Sequence, residues 1–534
     1  MKTTIKNLIL SAVLVVGGAS CVDLDTAPYD RETDLTYWEE DPEAAVKALN
    51  TCYTYLGNMD EQLYCEAMTD NAYTKQPNDA TQNIGNGSYS TADPYVKKVW
   101  DGRYTGIRMC NELLENIDRV PDLDPELKKR YIGEAKVLRA YNYYELYTKF
   151  GDVPYTTKVL SIKESMSIAR TAKATVIANV LADLDEVING NYLPTSYDAD
   201  NKGRITRWAA MAIKAKIYLF EGNWTQVKNI TSTIMTEGGF KLFGSYAGLF
   251  EIANEYNSEV ILDAQYRPTS REHQMMYAFL PPSLGGYSQL SPLQELVDSY
   301  IMLDGKTIRE TGTSFDESNP YANRDPRLKA TVMYTGNSYT LADGTEVVIN
   351  CEKGEGKDGY GVGSDCSATG YYIKKYWDNT YRATLYSGLN PILIRYADIL
   401  LMNAEALAEL GELDKTAWDA TIKPIRDRAG FTLASAVEFP EGASKDKLIE
   451  IVRNERRSEL ALEGHRHKDI IRWRIADDVL NGWCHGLKTN EVVGTDNGYV
   501  RVENRAFNAN KHYLWPIPQA ERDLNGNLVQ NPNW

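Results

Sequence analysis

The sequence predicts a mainly α protein in which paired helices stack into a superhelix, interrupted by one loop-rich insertion with a few short β-hairpins. Three observations predict it. Residues 95–117, 131–150, 172–188 and 206–220 keep apolar side chains at spacings of three and four, the mark of helices with a buried face. A second pattern, an Ala-rich helix followed by a Gly turn and another helix, occurs at 206–234 and returns at 394–428. Between these two units, residues 239–389 lose helical periodicity and gain Gly, Pro, Ser and Tyr.

Bulk composition sets the outer bounds. The 534 residues are too many for one ordinary core and suit two lobes or a repeat array. Hydrophobic residues make up 43% and charged residues 25%, the balance of an ordinary globular protein. Tyrosine is the outlier, with 36 against 10 Trp and 10 Phe. Its flat apolar face and polar tip suit both helix packing and wet binding surfaces. The net charge of −16 argues against nucleic acid and anionic lipid as partners and favours neutral ligands. The five histidines are scattered, so no metal or cofactor is expected.

In chain order, residues 1–20 read as a targeting segment. Lys2 and Lys6 precede an apolar run over 8–16, too short to span a bilayer, and then small residues lead to Cys21. Residues 22–37 read as an extended lead. Asp41-Pro42-Glu43 starts a helix expected to reach about Leu56. The stretch 57–95 is rich in Asn, Asp, Gly, Ser and Thr and too long for a simple connector. The helix over 131–150 carries several tyrosines and stops at Gly151 and Pro154. Being apolar almost all round, it is expected inside the stack. Within the insertion, 339–349 reads as a hairpin turning at Asp343-Gly344, and 292–300 as a helix. Cys351 and Cys366, flanking a Gly-rich loop, are the favoured disulfide pair in an exported chain, with Cys52 and Cys65 a weaker choice.

Several of these stretches resemble known families. The helix–Gly–aromatic–helix units resemble tetratricopeptide repeats, which implies a tetratricopeptide-like right-handed α superhelix. Gly17-Gly18-Ala19-Ser20-Cys21 resembles a bacterial lipobox, with cleavage before Cys21 and a lipid on its sulfur. Glu134-Ala135-Lys136-Val137-Leu138-Arg139-Ala140-Tyr141, ending in Phe150-Gly151-Asp152-Val153-Pro154, resembles the signature helix of the SusD/RagB family of Bacteroidetes nutrient-binding lipoproteins. Asn454-Glu455-Arg456-Arg457-Ser458-Glu459-Leu460, running on to Arg472-Trp473, and the Pro516-Ile517-Pro518…Asn531-Pro532 ending resemble two further blocks of that family, in family order.

The resemblance implies a division into a signal peptide (1–20), an N-terminal helical half (21–238) with a ligand loop at 57–95, a binding insertion (239–389) and a C-terminal helical half (390–534). It implies an outer-membrane, cell-surface protein held only by the lipid on Cys21. Such a protein would bind an oligosaccharide or polysaccharide and pass it unaltered to a SusC-like TonB-dependent transporter. It directs attention to Asp70, Asn71, Tyr73 and Gln76 in the first loop, and to Tyr287 in Gly286-Tyr287-Ser288, where the starch-binding member carries a tryptophan. That departure speaks against starch itself. Tyr277, Trp377, Tyr381 and Arg382 are further candidates on insertion loops.

Other readings predict other things. RagB-like members bind peptides. A tetratricopeptide adaptor would lack a pocket among the insertion loops, and a glycosidase would release reducing sugar. No nucleophile elbow, Cys-His pair, Walker loop or dinucleotide fingerprint stands in a convincing context. Glu455, Glu459 and Glu463 recur on one helical face among arginines. They are expected to pair with Arg456, Arg466 or Arg472 as a structural network that keeps them ionised, the opposite of what acid catalysis needs. The tyrosines of 131–150 are expected to pack and not to touch ligand. Changing Tyr141 or Tyr144 to Ala should therefore lower the melting temperature and leave ligand affinity of the folded fraction intact. Reduced affinity at unchanged stability would place the site on this helix.

Overall fold

The computed structural model describes residues 33–75, 81–381 and 384–534. The targeting segment and Cys21 lie outside the described residues. No helix among the described residues is long and apolar enough to cross a membrane.

Eight helices form the scaffold: α1 (Ala44–Tyr53), α2 (Pro94–Asn116), α3 (Pro125–Phe150), α4 (Lys173–Asn189), α5 (Arg207–Phe220), α6 (Trp224–Glu237), α7 (Tyr396–Leu410) and α8 (Lys445–Glu459). Their starts follow from capping. Asp93 accepts from the N–H groups of Tyr95 and Val96, and Asp124 from those of Glu126 and Leu127, each with Pro at the first helical position. Thr206 and Ser444 cap α5 and α8 in the same way. The Asp124-Pro125 cap starts α3 six residues before Tyr131, the first residue of the expected helix. The helix expected to run through Trp418 to Arg428 is instead two, Lys415–Ala420 and Ile422–Ala429. Pro424 has no N–H to offer the Ala420 carbonyl, so the ladder breaks at Thr421.

Each scaffold helix packs on the next, α2 on α3 and so on to α7 on α8. The step from α6 to α7 bridges the insertion, whose ends are drawn together by antiparallel pairing of β2 (Val260–Asp263) with β8 (Ile392–Arg395). One apolar core runs through α1–α6, with Tyr143, Tyr147 and Phe150 of α3 fully enclosed. A second core gathers Phe279, Leu296, Tyr300, Tyr339 and Tyr372 of the insertion around Met59, Leu63 and Leu462. The short strands are local clamps. β1 (Ala72–Thr74) pairs antiparallel with β3 (Leu290–Pro292), tying the first loop to the insertion. β4 (Val332–Met333) pairs with β7 (Tyr372–Ile373). β5 (Ser338–Thr340) and β6 (Glu346–Val348) form the expected hairpin, with Gly344 at φ +83°. β9 (Asn481–Lys488), β10 (Thr495–Asp496) and β11 (Tyr499–Ala506) form a three-stranded sheet ordered β10-β11-β9. The protein is thus mainly α with small sheets.

The Cys351–Cys366 disulfide does not form: both residues are buried free thiols, as are Cys52 and Cys110, and Cys65 is free as well. Closeness across a Gly-rich loop in sequence does not aim two sulfurs at each other. The Cys366 thiol is turned to the Lys357 carbonyl at 3.2 Å.

The insertion and the C-terminal helices meet at a buried ionic cluster. Arg395, 1% exposed, reaches Glu259 at 2.7 Å, Glu459 at 2.6 Å and Glu463 at 2.7 Å. Arg327 bridges Asp325 at 2.7 Å, Glu455 at 2.7 Å and Glu459 at 2.8 Å. Lys375, Arg426 and Arg428 complete it. The carboxylates of Glu259, Asp325, Glu455, Glu459 and Glu463 are matched one for one by Arg327, Lys375, Arg395, Arg426 and Arg428. Burial pushes Glu459 up, but Arg428, Arg395 and Arg327 outweigh it and hold the carboxyl well below the ordinary range. The structural reading of these glutamates holds, with different partners. Their cations come from the insertion and the α7–α8 region, whereas Arg456 and Arg472 form a neighbouring cluster with Asp398, Glu405 and Asp469. Glu463 lies past the end of α8, in the turn after it. Replacing Arg395 by Met removes a shared partner of Glu259, Glu459 and Glu463 and leaves the buried cluster one positive charge short. The variant should lose about 3–5 kcal/mol of stability, read as a lower urea midpoint. An unchanged midpoint would show that the cluster is not what joins the insertion to the C-terminal helices.

Candidate functional site

An open aromatic-lined cleft lies where insertion loops meet the first loop. Its first wall is built by a chain reversal. A short helix, Met275–Phe279, ends at Pro281-Pro282, and the chain turns back through Gly285 at φ +84°. At Gly286 a Cβ would lie 2.1 Å from the Leu280 carbonyl oxygen, so no larger residue fits the turn. The Tyr287 N–H then donates to the Tyr277 carbonyl at 2.8 Å, and the Ser288 N–H to the Leu280 carbonyl at 3.2 Å. These bonds set the two rings side by side, centroids 5.9 Å apart and planes 28° from parallel.

A third ring comes from further along the chain. His273 and Ser387 exchange backbone hydrogen bonds at 2.9 and 3.0 Å, and Gly388 packs so closely on Pro268 that a Cβ would meet its nitrogen at 2.5 Å. This places Tyr386 edge-on to Tyr277, centroids 6.4 Å apart at 87°. Tyr287 is 47% exposed and Tyr386 39%, unusually open for large aromatics. Together with Asn58, Tyr64, Arg271 and Gln289 they line an open cleft of about 930 Å³. Tyr64 donates to Gln289 Oε1 at 3.1 Å, and the Arg271 guanidinium sits 5.0 Å from the Tyr266 ring centroid.

One buried group fixes the floor of the Tyr386 loop. His273 Nε2 lies 3.2 Å from the Leu389 carbonyl, and its Nδ1 accepts the Met275 N–H at 3.4 Å. Only the neutral ring with its proton on Nε2 satisfies both contacts. Burial pushes the imidazole down to about 4, partly offset by the Leu389 carbonyl.

The sequence-derived candidates divide. Tyr277 and Tyr287 meet in the cleft. Asp70 and Asn71 do not line it: they are 4% and 1% exposed. Arg466 grips the Asp70 carboxylate at 2.8 and 2.9 Å, and Asn71 donates to Glu66 at 2.8 Å and accepts from Arg457 at 3.0 Å. They pin the first loop to the segment after α8, and Asp70 reaches only the floor of another cleft. Tyr73 sits in β1 opposite Ser291, outside the cleft lining. Trp377 spends its indole N–H on the Thr340 carbonyl at 3.0 Å and packs edge-on to Tyr339, also away from the cleft. Tyr381 closes a turn, Asn379–Tyr381. Its side chain, Gln76 and Arg382 lie outside what is described. Tyr386, Tyr266, Arg271 and Gln289 were not singled out from sequence. Tyr386-Ser387-Gly388 carried a usable signal, because its aromatic beside Ser and Gly repeats the residue types of Gly286-Tyr287-Ser288.

Among the described residues no group of three or more His, Cys, Asp or Glu side chains is placed to hold a metal ion.

Comparison with known proteins gives a consistent result. The model of the SusD family matches residues 249–534, and a second model, described as starch-binding associating with outer membrane, matches residues 37–219. SusD-like protein P25 of Formosa agariphila is 27% identical over 99% of this chain and 98% of its own. A SusD-like carbohydrate binding protein of Bacteroides fragilis superposes with a TM-score of 0.81 at 29% identity, covering 92% of this chain and all of that one. A second SusD-like protein of Bacteroides fragilis gives 0.80 at 27% identity over 95% of this chain and 100% of its own.

The His273 contacts carry a pH dependence. Its folded value lies below that of a free histidine, so its share of stability is present above about pH 6.5 and is lost as pH falls toward about 4, on the order of 3 kcal/mol in all. Nitrogen-resolved NMR of the histidine rings at pH 5.5 should find His273 neutral with its proton on Nε2. A charged ring at that pH would mean the Tyr386 loop is held some other way.

Proposed function

The chain belongs to the SusD family, and from that premise we propose that its tyrosine cleft captures a neutral oligosaccharide or polysaccharide segment at the cell surface. The observation that carries this is the open trio of Tyr277, Tyr287 and Tyr386. A pyranose has an apolar C–H face and an equatorial fringe of hydroxyls. The stacked pair offers flat apolar surface to the face. Asn58 and Gln289, which can both donate and accept, and Arg271, which donates, suit the fringe. An overall charge of −16 disfavours acidic glycans. The carbohydrate-binding relative from Bacteroides fragilis, similar along nearly its whole length, supports the same class of ligand.

In this reading the protein binds without catalysis. The lipid on Cys21 holds it to the outer membrane, and a SusC-like TonB-dependent transporter receives the glycan. The scaffold of 21–238 and 390–534 carries, and the insertion of 239–389 recognises, with Tyr277, Tyr287 and Tyr386 as its contact residues. Tyr381 and Arg382, a few residues before Tyr386, stay candidates, as does Gln76 in the first loop.

Tyr287→Ala removes an exposed ring, so the melting temperature should hold while affinity for the bound glycan falls about tenfold or more. Affinity electrophoresis against a panel of polysaccharides, run beside a peptide library, reads this out. Retention of peptides and of no glycan would replace the saccharide reading with the peptide-binding one.

A further inference from the structure

A second cleft, of about 570 Å³, opens between the three-stranded sheet and the helix Gln294–Ser299, and it shares no lining residue with the tyrosine cleft. At its edge stands Trp483 in β9, 44% exposed, and no residue among those described accepts its indole N–H. An indole left open beside a cleft forgoes a large burial gain.

The ring is held in place by its surroundings. The Arg501 guanidinium lies 5.5 Å from its centroid, and Asp496 in turn accepts from Arg501 Nε at 2.9 Å. Asp496 also meets His485 Nε2 at 3.0 Å, while His485 Nδ1 meets Glu295 at 2.8 Å. The imidazole therefore stitches the sheet to the insertion helix, so the cleft has one fixed wall. Facing into this opening are Asn454, Asp478 and Asn497, whose side chains make no hydrogen bond among the described residues. Amides that donate and accept, a free carboxylate and a flat ring make the donor set that vicinal hydroxyls and a sugar face require. An extended peptide finds less here. β9 is an edge strand, but its His485 N–H goes to Glu295 and its Leu487 N–H to Thr369. The open carboxylate of Asp478 disfavours an anionic ligand.

We propose that the Trp483 cleft is a second saccharide-binding site, taking a neutral segment of the polysaccharide that the tyrosine cleft holds. It rests on the glycan reading of that first cleft. Two sites on one polymer make the second contact intramolecular, so the protein would retain long chains better than short ones.

The test uses the full chain in three forms: Trp483→Ala, the double change Tyr277→Ala/Tyr287→Ala, and all three together. Each is run by affinity electrophoresis on neutral polysaccharides and by calorimetry on their short oligosaccharides. Trp483 is exposed, so its removal should leave the melting temperature unchanged. The expected result is that Trp483→Ala lowers polysaccharide retention about tenfold while oligosaccharide affinity at the tyrosine cleft holds. The tyrosine variant should keep a weak retention that the triple variant loses. A tyrosine variant with no retention at all, or a Trp483→Ala protein equal to the parent on every polymer, overturns the second site and leaves the first. Full loss in Trp483→Ala with no effect of the tyrosine changes overturns the first site and leaves the second.

Discussion

The structure depends on Arg395 being surrounded by carboxylates that the rest of the chain must deliver. Glu259 comes from the start of the insertion, and Glu459 and Glu463 from the end of α8 and the turn after it. Arg327 and Lys375, from the middle of the insertion, return the charge. Charges this deep are costly to desolvate, and only complete pairing offsets the cost. A partial assembly would leave bare ions in an apolar core, so the insertion and the C-terminal helices are obliged to settle together. The cluster is better understood as a device for uniqueness than as a source of net stability.

That constraint reaches the tyrosine cleft through the backbone. β8 pairs with β2 on one side of Arg395, and the loops that carry Tyr277, Tyr287 and Tyr386 spring from the same packed insertion. The rings owe their positions to main-chain contacts: the Tyr287–Tyr277 bond, the His273–Ser387 exchange and two glycines at close approaches. The Tyr287 and Tyr386 rings stay open, while the Tyr277 hydroxyl donates to the Thr384 carbonyl at 3.4 Å. A surface arranged this way is held by its backbone and keeps open aromatic area, which a core would bury.

Much of the scaffold was legible in the sequence, because helical periodicity and Asp-Pro caps are local signals. The break at Thr421 was missed, although Pro424 announces it. The tyrosines of α3 read correctly as packing, since a helix apolar on every side has nowhere to be but inside. The candidate site was only half legible. Tyr287 and Tyr277 could be chosen one by one, but their stacking rests on a turn whose hydrogen bonds no pattern encodes. Asp70 and Asn71 could be picked out in the loop, but not their burial, because the arginines that hold them, Arg457 and Arg466, lie 386 and 396 residues further on. Cys351 and Cys366 misled for the opposite reason, being near in sequence without being aimed at each other.

The antiparallel pairing of β2 with β8 has a consequence for how such a protein can diversify. It brings the two ends of the insertion side by side, so the helical stack feels the insertion mainly as a closed loop. Segments outside the cluster and the second core are then free to be exchanged, whereas the loops around Tyr277–Tyr287 and Tyr386 are anchored in that core through Phe279, Leu280 and Leu385 and would have to keep those anchors. A graft that kept Glu259, Asp325, Arg327 and Lys375 would preserve electroneutrality at the junction whatever ligand its loops were shaped for. In engineering terms the helical stack is a socket with four electrical contacts to the insertion.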